Sequence, residues 1–163
     1  MNILQHSIAQ EVIDNWSYKF WVVKRIPSIK CKCVDPVTKQ PKGDCKLCLG
    51  LGTKIKLYQV KGTSRETKEF ESLRAEFPTV TPKIFYIKKL LYIEKDDLII
   101  DKENVYRVYA TQFHRGLQGE FKFTRCVCPT VKNNHKQILK NFKEIIYEHN
   151  RKQPKNKQER KLR

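Results

Sequence analysis

The 163-residue sequence lacks long apolar segments. It contains no run of about 18 apolar residues, the length that a helix needs to cross a membrane, so we expect no membrane partner. Its first residues, MNILQHSIAQEVIDNW, have neither the basic start nor the apolar core of a secretory signal. We therefore expect a reducing compartment, in which cysteines remain thiols or bind metal.

The sequence also lacks the short motifs that mark common enzymes. It has no glycine-rich phosphate loop, no Gly-x-Ser-x-Gly and no His-Glu-x-x-His, and its four histidines are scattered. One acidic patch is present, formed by Asp96, Asp97, Asp101 and Glu103. No histidine or nucleophile lies at a motif spacing from it, and charges beside a hairpin are typical of a solvated surface. The sequence therefore predicts a protein that is not an enzyme.

Acidic residues are few, with 17 Asp and Glu against 34 Lys and Arg, which gives a net charge of +17. This imbalance favours a polyanion or an acidic surface as partner, although a lysine-rich solvated surface would have the same composition. Residues 151–163 form a basic tail with no core of its own, which we separate from a domain at residues 1–150. The tail residues predicted to contact nucleic acid or a protein partner are Arg151, Lys152, Lys155, Lys157, Arg160, Lys161 and Arg163.

Four of the six cysteines fall within residues 31–52, as Cys31-x-Cys33, eleven intervening residues, and Cys45-x-x-Cys48. Two close pairs joined by a polar loop suit a tetrahedral Zn²⁺ site, and the following glycines permit the positive-φ turns that aim backbone amides at sulfur. A closed four-sulfur site leaves no position for water, so the predicted zinc is structural. Cys31 and Cys33 are separated by only one residue, which is closer than usual for a zinc site. Both could be ligands, or they could share the ligand role with another group. Disulfides or packed thiols are the alternative to metal.

The remaining cysteines, Cys126 and Cys128, repeat the Cys-x-Cys spacing. They could replace Cys31 and Cys33 in the metal site or extend it. Alternation along a strand would instead put both side chains on one face, where small apolar residues pack, and we favour core packing.

Hydrophobic periodicity predicts a mainly β fold, a small antiparallel barrel or sandwich, with N- and C-terminal helices and a zinc-knuckle insertion at residues 31–52. The predicted helices are residues 3–16 and 135–149, and residues 61–76 are predicted to be a loop with at most a short helix. The predicted strands are residues 18–25, 53–60, 84–87, 98–100, 105–110 and 120–127, with a four-residue turn at 101–104.

Two segments together resemble a known group of proteins. The cysteine block followed by Gly50 and Gly52 resembles a cysteine module of tailed-bacteriophage structural proteins. The segment IEKDDLIIDKENVYRVYATQF resembles the hairpin of phage head-closure (stopper) and head-tail connector proteins, which have an acidic-apolar element, a turn and a Tyr-x-Val strand. The matching residues here are Asp97, Leu98, Ile99, Tyr106, Arg107 and Val108.

This resemblance covers about half of the chain and implies a small β-barrel in a ring between portal and tail. The implied partners are copies of the same chain, portal or adaptor and tail proteins, and DNA in a central channel. The implied location is the virion, assembled in the host cytoplasm. The spacing of the first cysteine pair and the basic tail are not part of the pattern. The charge favours a different function, a zinc-ribbon protein that binds nucleic acid.

Overall fold

The described part of the chain consists of seven strands and a long helix. The computed structural model describes residues 15–66, 82–88, 91–115, 119, 121–131 and 134–152. All but the last two residues of the predicted helix at 3–16, and most of the predicted tail, therefore lie outside the described residues. The elements are β1 Tyr18–Lys30, β2 Thr53–Glu66, β3 Lys83–Ile87, β4 Leu98–Asp101, β5 Asn104–Arg107, β6 Ala110–Arg115, β7 Phe121–Cys128 and α1 His135–Lys152. The predictions of a mainly β fold and of a C-terminal helix are confirmed.

All seven strands form one antiparallel sheet in the order β5-β4-β1-β2-β3-β7-β6, curled into a half-barrel. β5 and β6 are consecutive in sequence but lie at opposite edges of this order. The curl brings the edges together: Tyr106 bridges Thr130, and the Arg107 amide donates a hydrogen bond of 3.0 Å to the Pro129 carbonyl. The short connection between β5 and β6 can therefore pass from one edge to the other.

Alternation along the strands divides the apolar residues between two faces. The inner face holds the larger cluster, formed by Phe20, Val22, Val60, Phe85, Ile87, Leu91, Ile93, Ile99, Tyr106, Val108, Cys126 and Cys128. Gly62 lies at the tightest point, since a Cβ atom there would clash with the Tyr86 carbonyl oxygen and approach the Phe20 ring to 3.1 Å. Glycine thus allows the β2 and β3 backbones and the Phe20 ring to pack closely.

Helix α1 covers part of the outer face. Its apolar residues Ile138, Leu139 and Phe142 pack against outward-facing residues of β1, β4 and β5 and against Leu49 of the cysteine loop. The Trp21 and Phe142 rings meet edge to face with centroids 5.7 Å apart. Among the described residues, no helix is long and apolar enough to span a membrane.

Four predicted strand limits are wrong. β1 continues to Lys30, five residues past its predicted end, because β2 pairs with it as far as Ile26 and again at Lys30. The run 105–110 is divided between β5 and β6, because the chain changes edges at Val108 and Tyr109. Asp101 pairs with Asn104, so the hairpin turn has two residues and not four. β2 continues to Glu66 through residues predicted to be a loop, because β1 and β3 both supply hydrogen-bonding partners there. Residues 67–76 of that predicted loop lie outside the described residues.

The prediction of a solvated acidic patch is also wrong for two of its four members. Asp97 is fully buried, and its carboxylate accepts hydrogen bonds from the Arg25 amide at 2.8 Å and the Glu94 amide at 2.9 Å. Asp101 is buried too and accepts from the Tyr18 hydroxyl at 2.9 Å and the Lys83 ammonium at 3.0 Å. Buried carboxylates need such partners, so Asp97 and Asp101 are structural residues that link separate strands and loops of the fold.

Candidate metal centre

The cysteine loop, residues 31–52, joins β1 to β2, as predicted. Its base is closed by a 2.9 Å hydrogen bond from the Cys31 amide to the Gly52 carbonyl. Because β1 and β2 are the two longest strands and are paired to each other, the loop is held at the end of a two-stranded ribbon.

The four sulfurs of this loop converge. The ligand atoms of Cys31, Cys33, Cys45 and Cys48 all lie within 4.8 Å of one another, and in the described part of the chain no other Cys, His, Asp or Glu residues form such a group. Sγ of Cys31 lies 3.8 Å from Sγ of Cys45, and Sγ of Cys33 lies 3.4 Å from Sγ of Cys48. A disulfide would need about 2.05 Å, and all six cysteines of the chain are free thiols. The cluster could therefore hold a metal ion with both cysteines of the first pair.

The second cysteine pair is shaped by left-handed backbone conformations. Leu49 has φ 53°, Gly50 has φ 77° and Gly52 has φ 74°, and glycine adopts such angles without steric cost. A Cβ atom at Gly50 would also lie 3.0 Å from the Gly43 carbonyl oxygen. The predicted requirement for glycine after this pair is therefore found at both positions.

The electrostatics differ between the sulfurs. Burial opposes ionisation of Cys45, but a hydrogen bond with Cys33 and the backbone amides of Cys48 and Leu47 outweigh it and lower the pKa of Cys45 to about 7. Burial raises the pKa of Cys48 to about 12, although the backbone amide of Gly52 opposes this rise. Cys45 is thus the thiol of this pair that ionises first, and a cation would favour the thiolate at both.

A turn between the two pairs shapes the loop independently of the sulfurs. The carboxylate of Asp35 accepts hydrogen bonds from the amides of Val37 at 2.8 Å and Thr38 at 2.7 Å, which lower its pKa. Val34 then bridges Pro41 in antiparallel fashion. This small turn folds the chain back so that the two cysteine pairs face each other.

Helix α1 is attached directly to the second half of the loop. The fully buried side chain of Asn141 donates a hydrogen bond from Nδ2 to the Asp44 carbonyl at 3.0 Å. Lys46 and Glu144 form an ion pair of 2.7 Å at the surface beside it. With Leu49 packed under the helix, three contacts tie the loop to α1. The sequence pattern did not predict these contacts.

Cys126 and Cys128 lie apart from this centre. Both are completely buried in the inner cluster of the sheet, and burial raises the pKa of Cys126 to about 12. The interpretation that they pack in the core is confirmed, and the alternative that they complete the metal site is wrong.

The predicted basic contact residues are described only at the end of α1. Arg151 is exposed there, and Lys152 is the last helical residue. Lys155, Lys157, Arg160, Lys161 and Arg163 lie outside the described residues.

No protein-family model matches the chain, and no curated protein sequence matches it. Four thiolates around one ion would leave no open coordination position, so the centre suits a structural role better than a catalytic one.

Proposed function

We propose that this chain is a structural, non-enzymatic component of the neck of a tailed bacteriophage, forming part of a head-closure or connector ring. The observation that carries the proposal is the hairpin at residues 97–108, which lies within a curled antiparallel sheet. Neighbouring copies, portal or adaptor proteins and tail proteins are the proposed partners, and the virion is the proposed location.

The residues that resemble the connector hairpin have defined structural roles in the sheet. Asp97 is buried and accepts two backbone hydrogen bonds, and its own carbonyl accepts a 2.8 Å hydrogen bond from the Val108 amide. Tyr106 and Val108 point into the inner cluster, where the Tyr106 ring meets Phe85 edge to face at 5.1 Å. The resemblance therefore rests on residues that this fold uses, which supports a common architecture.

We further propose that the metal is Zn²⁺. Four sulfurs at about 2.3 Å from a tetrahedral zinc ion would be about 3.8 Å apart. Two of the sulfur separations, 3.8 and 3.4 Å, are close to this value, and all of them are within 4.8 Å. Thiolate ligands also favour zinc over magnesium or calcium, which prefer oxygen. When bound, the ion would stabilise the loop and, through Asn141 and Leu49, the position of α1.

Native mass spectrometry of the purified chain, with and without a chelator, tests both parts of this proposal. We expect a closed oligomer with one zinc per chain that survives high salt, because contacts between folded subunits depend less on salt than phosphate contacts do. A zinc-loaded monomer at all concentrations would contradict the ring. A fully assembled oligomer without metal would contradict the structural role of zinc.

The charge of the chain favours a second candidate function, nucleic-acid binding by a zinc-ribbon protein. A net charge of +17 is larger than folding requires and opposes close packing of identical subunits. Co-purification of a monomer with nucleic acid, reversed by added salt, is the result expected from this candidate.

A further inference from the structure

The two strands that carry the cysteine loop are strongly basic. β1 and β2 together contain one acidic residue, Glu66, at the very end of β2. Their basic residues are Lys19, Lys24, Arg25, Lys30, Lys54, Lys56, Lys61 and Arg65. The longest strand pair of the sheet is therefore also a concentrated region of positive charge.

The register of β1 and β2 places lysines directly opposite each other. Lys24 pairs with Lys56, and Lys19 pairs with Lys61. Directly opposed like charges destabilise a sheet. Lys54 lies two residues before Lys56 and therefore on the same face, and both side chains are exposed. This arrangement costs stability wherever the ammonium charges are not neutralised.

Two aromatic rings lie next to the lysines on this face of the sheet. The Lys24 ammonium lies 5.2 Å from the centroid of the Tyr92 ring, and Tyr92 stacks on Phe113 with centroids 5.9 Å apart and an interplanar angle of 11°. Tyr92 is 65% exposed and Phe113 is 38% exposed. Lys24, Lys54, Lys56, Tyr92 and Phe113 together form what we call the basic-aromatic strip.

Acidic groups neutralise only one end of the strip. Glu94 lies 3.3 Å from the Lys24 ammonium, and Asp97 lies 3.9 Å from it. Lys56 lies opposite Lys24, Lys54 lies two residues nearer to the cysteine loop, and within the described residues neither forms an ion pair with a carboxylate. They are therefore the residues of the strip most available to an external anion.

We propose that the basic-aromatic strip binds a single-stranded nucleic acid, with Lys54 and Lys56 on phosphates and the aromatic pair beside a sugar or base. Two residues of a strand span about 6.7 Å, so Lys54 and Lys56 present two separate positive charges to one backbone. Aromatic rings next to cations are typical of surfaces that bind single-stranded nucleic acid, whose bases are free to stack on them. This inference goes beyond the proposed neck function and does not depend on ring formation.

The test is fluorescence anisotropy with the zinc-loaded full-length protein and a labelled single-stranded DNA of mixed sequence, about 30 nucleotides long. The test variant is the double substitution Lys54→Gln and Lys56→Gln. The matched control is Lys19→Gln and Lys61→Gln, which removes the same charge from the same two-stranded ribbon on its opposite face. The basic tail is present in both, so it contributes equally.

For the test variant we expect affinity to fall about tenfold or more at 100 mM salt. We also expect the slope of log K against log salt to decrease in magnitude by about 1.4, about 0.7 for each lost contact with a phosphate of the single strand. The control should lose less than about threefold. A further variant, Phe113→Ala, should weaken binding without changing the salt slope, because stacking contacts release no counterions.

Equal losses in the test and control variants would overturn the proposal, because binding would then depend on net charge alone. Unchanged affinity in the test variant, or no binding at 50 mM salt, would also overturn it. Tighter binding of a polyglutamate peptide, with the same dependence on Lys54 and Lys56, would overturn it in favour of an acidic protein partner. Thermal unfolding and zinc content of each variant establish that it is folded.

Discussion

The side-chain amide of Asn141 donates a hydrogen bond to the backbone carbonyl of Asp44, 97 residues earlier in the chain. The donor lies on α1 and the acceptor immediately precedes the second cysteine pair. Asn141 is fully buried, and its Oδ1 accepts a 2.9 Å hydrogen bond from Gln137. This polar contact fixes one residue of the helix to one position of the loop. Loss of structure at the metal centre should therefore destabilise the helix, and the reverse should also hold.

Replacement of Asn141 by alanine should destabilise the protein by about 1–2 kcal/mol, because the fully buried side chain and its hydrogen bond to the Asp44 carbonyl would both be lost. Urea unfolding of the metal-loaded protein measures this loss. The control is Lys143→Ala, two residues along the helix at an exposed position, which should change the free energy of unfolding by less than about 0.5 kcal/mol. Equal destabilisation by both substitutions would show that the Asn141 contact has no special role.

The variant Cys45→Ser should lose the metal and the local structure of residues 31–52, because the binding energy of such a site is also folding energy. Hydrogen exchange should then increase in α1 around Asn141 as well, since the helix is attached to this loop. Elemental analysis and hydrogen-exchange mass spectrometry measure the two effects. Full metal content together with an unchanged melting temperature would contradict the site.

Cys126→Ala is the matched control for the metal. It removes a buried sulfur from the inner cluster and should cost about 1–2 kcal/mol, as a small cavity does, while the metal content stays unchanged. Loss of metal in this variant would mean that the two cysteine groups are coupled.

The cysteine cluster and most strands could be predicted because their signals are local. The spacing of Cys45 and Cys48 and the glycines after them depend on one turn, and alternation in β2 depends on one strand. The division between β5 and β6 could not be predicted, because it follows from the curl that brings distant strands together. The burial of Asp97 depends on the amide of Arg25, which is remote in sequence. Asn141 is not part of any sequence motif, so its contact with the cysteine loop could not be predicted either.

Replacement of Gly62 by alanine should destabilise the protein strongly, by about 3 kcal/mol or more. The added methyl group would meet the Tyr86 backbone and the Phe20 ring, neither of which can move without separating strands or disturbing the core. Gly43→Ala is the control, because its methyl group would meet only the end of the Asn134 side chain, at 3.3 Å. Chemical unfolding of both variants measures the difference, and similar stabilities would contradict the tight crossing at Gly62.

The hydroxyl of Tyr18 lies between Ser64, at 2.6 Å, and Asp101, at 2.9 Å, and burial followed by the Asp101 carboxylate raises its pKa above 10.0. Tyr18→Phe should cost about 1–3 kcal/mol at pH 7, because the buried carboxylate of Asp101 would lose a donor.

A raised pKa in the folded state means that stability falls as pH rises from 10.0 through the folded value, because the unfolded chain then loses its proton first. The parent protein should undergo this loss and the phenylalanine variant should not, so the stability difference between them should shrink above pH 10. Urea unfolding between pH 7 and 11 tests this, and a difference that stays constant or grows with pH would contradict hydrogen bonding of Tyr18 to Asp101.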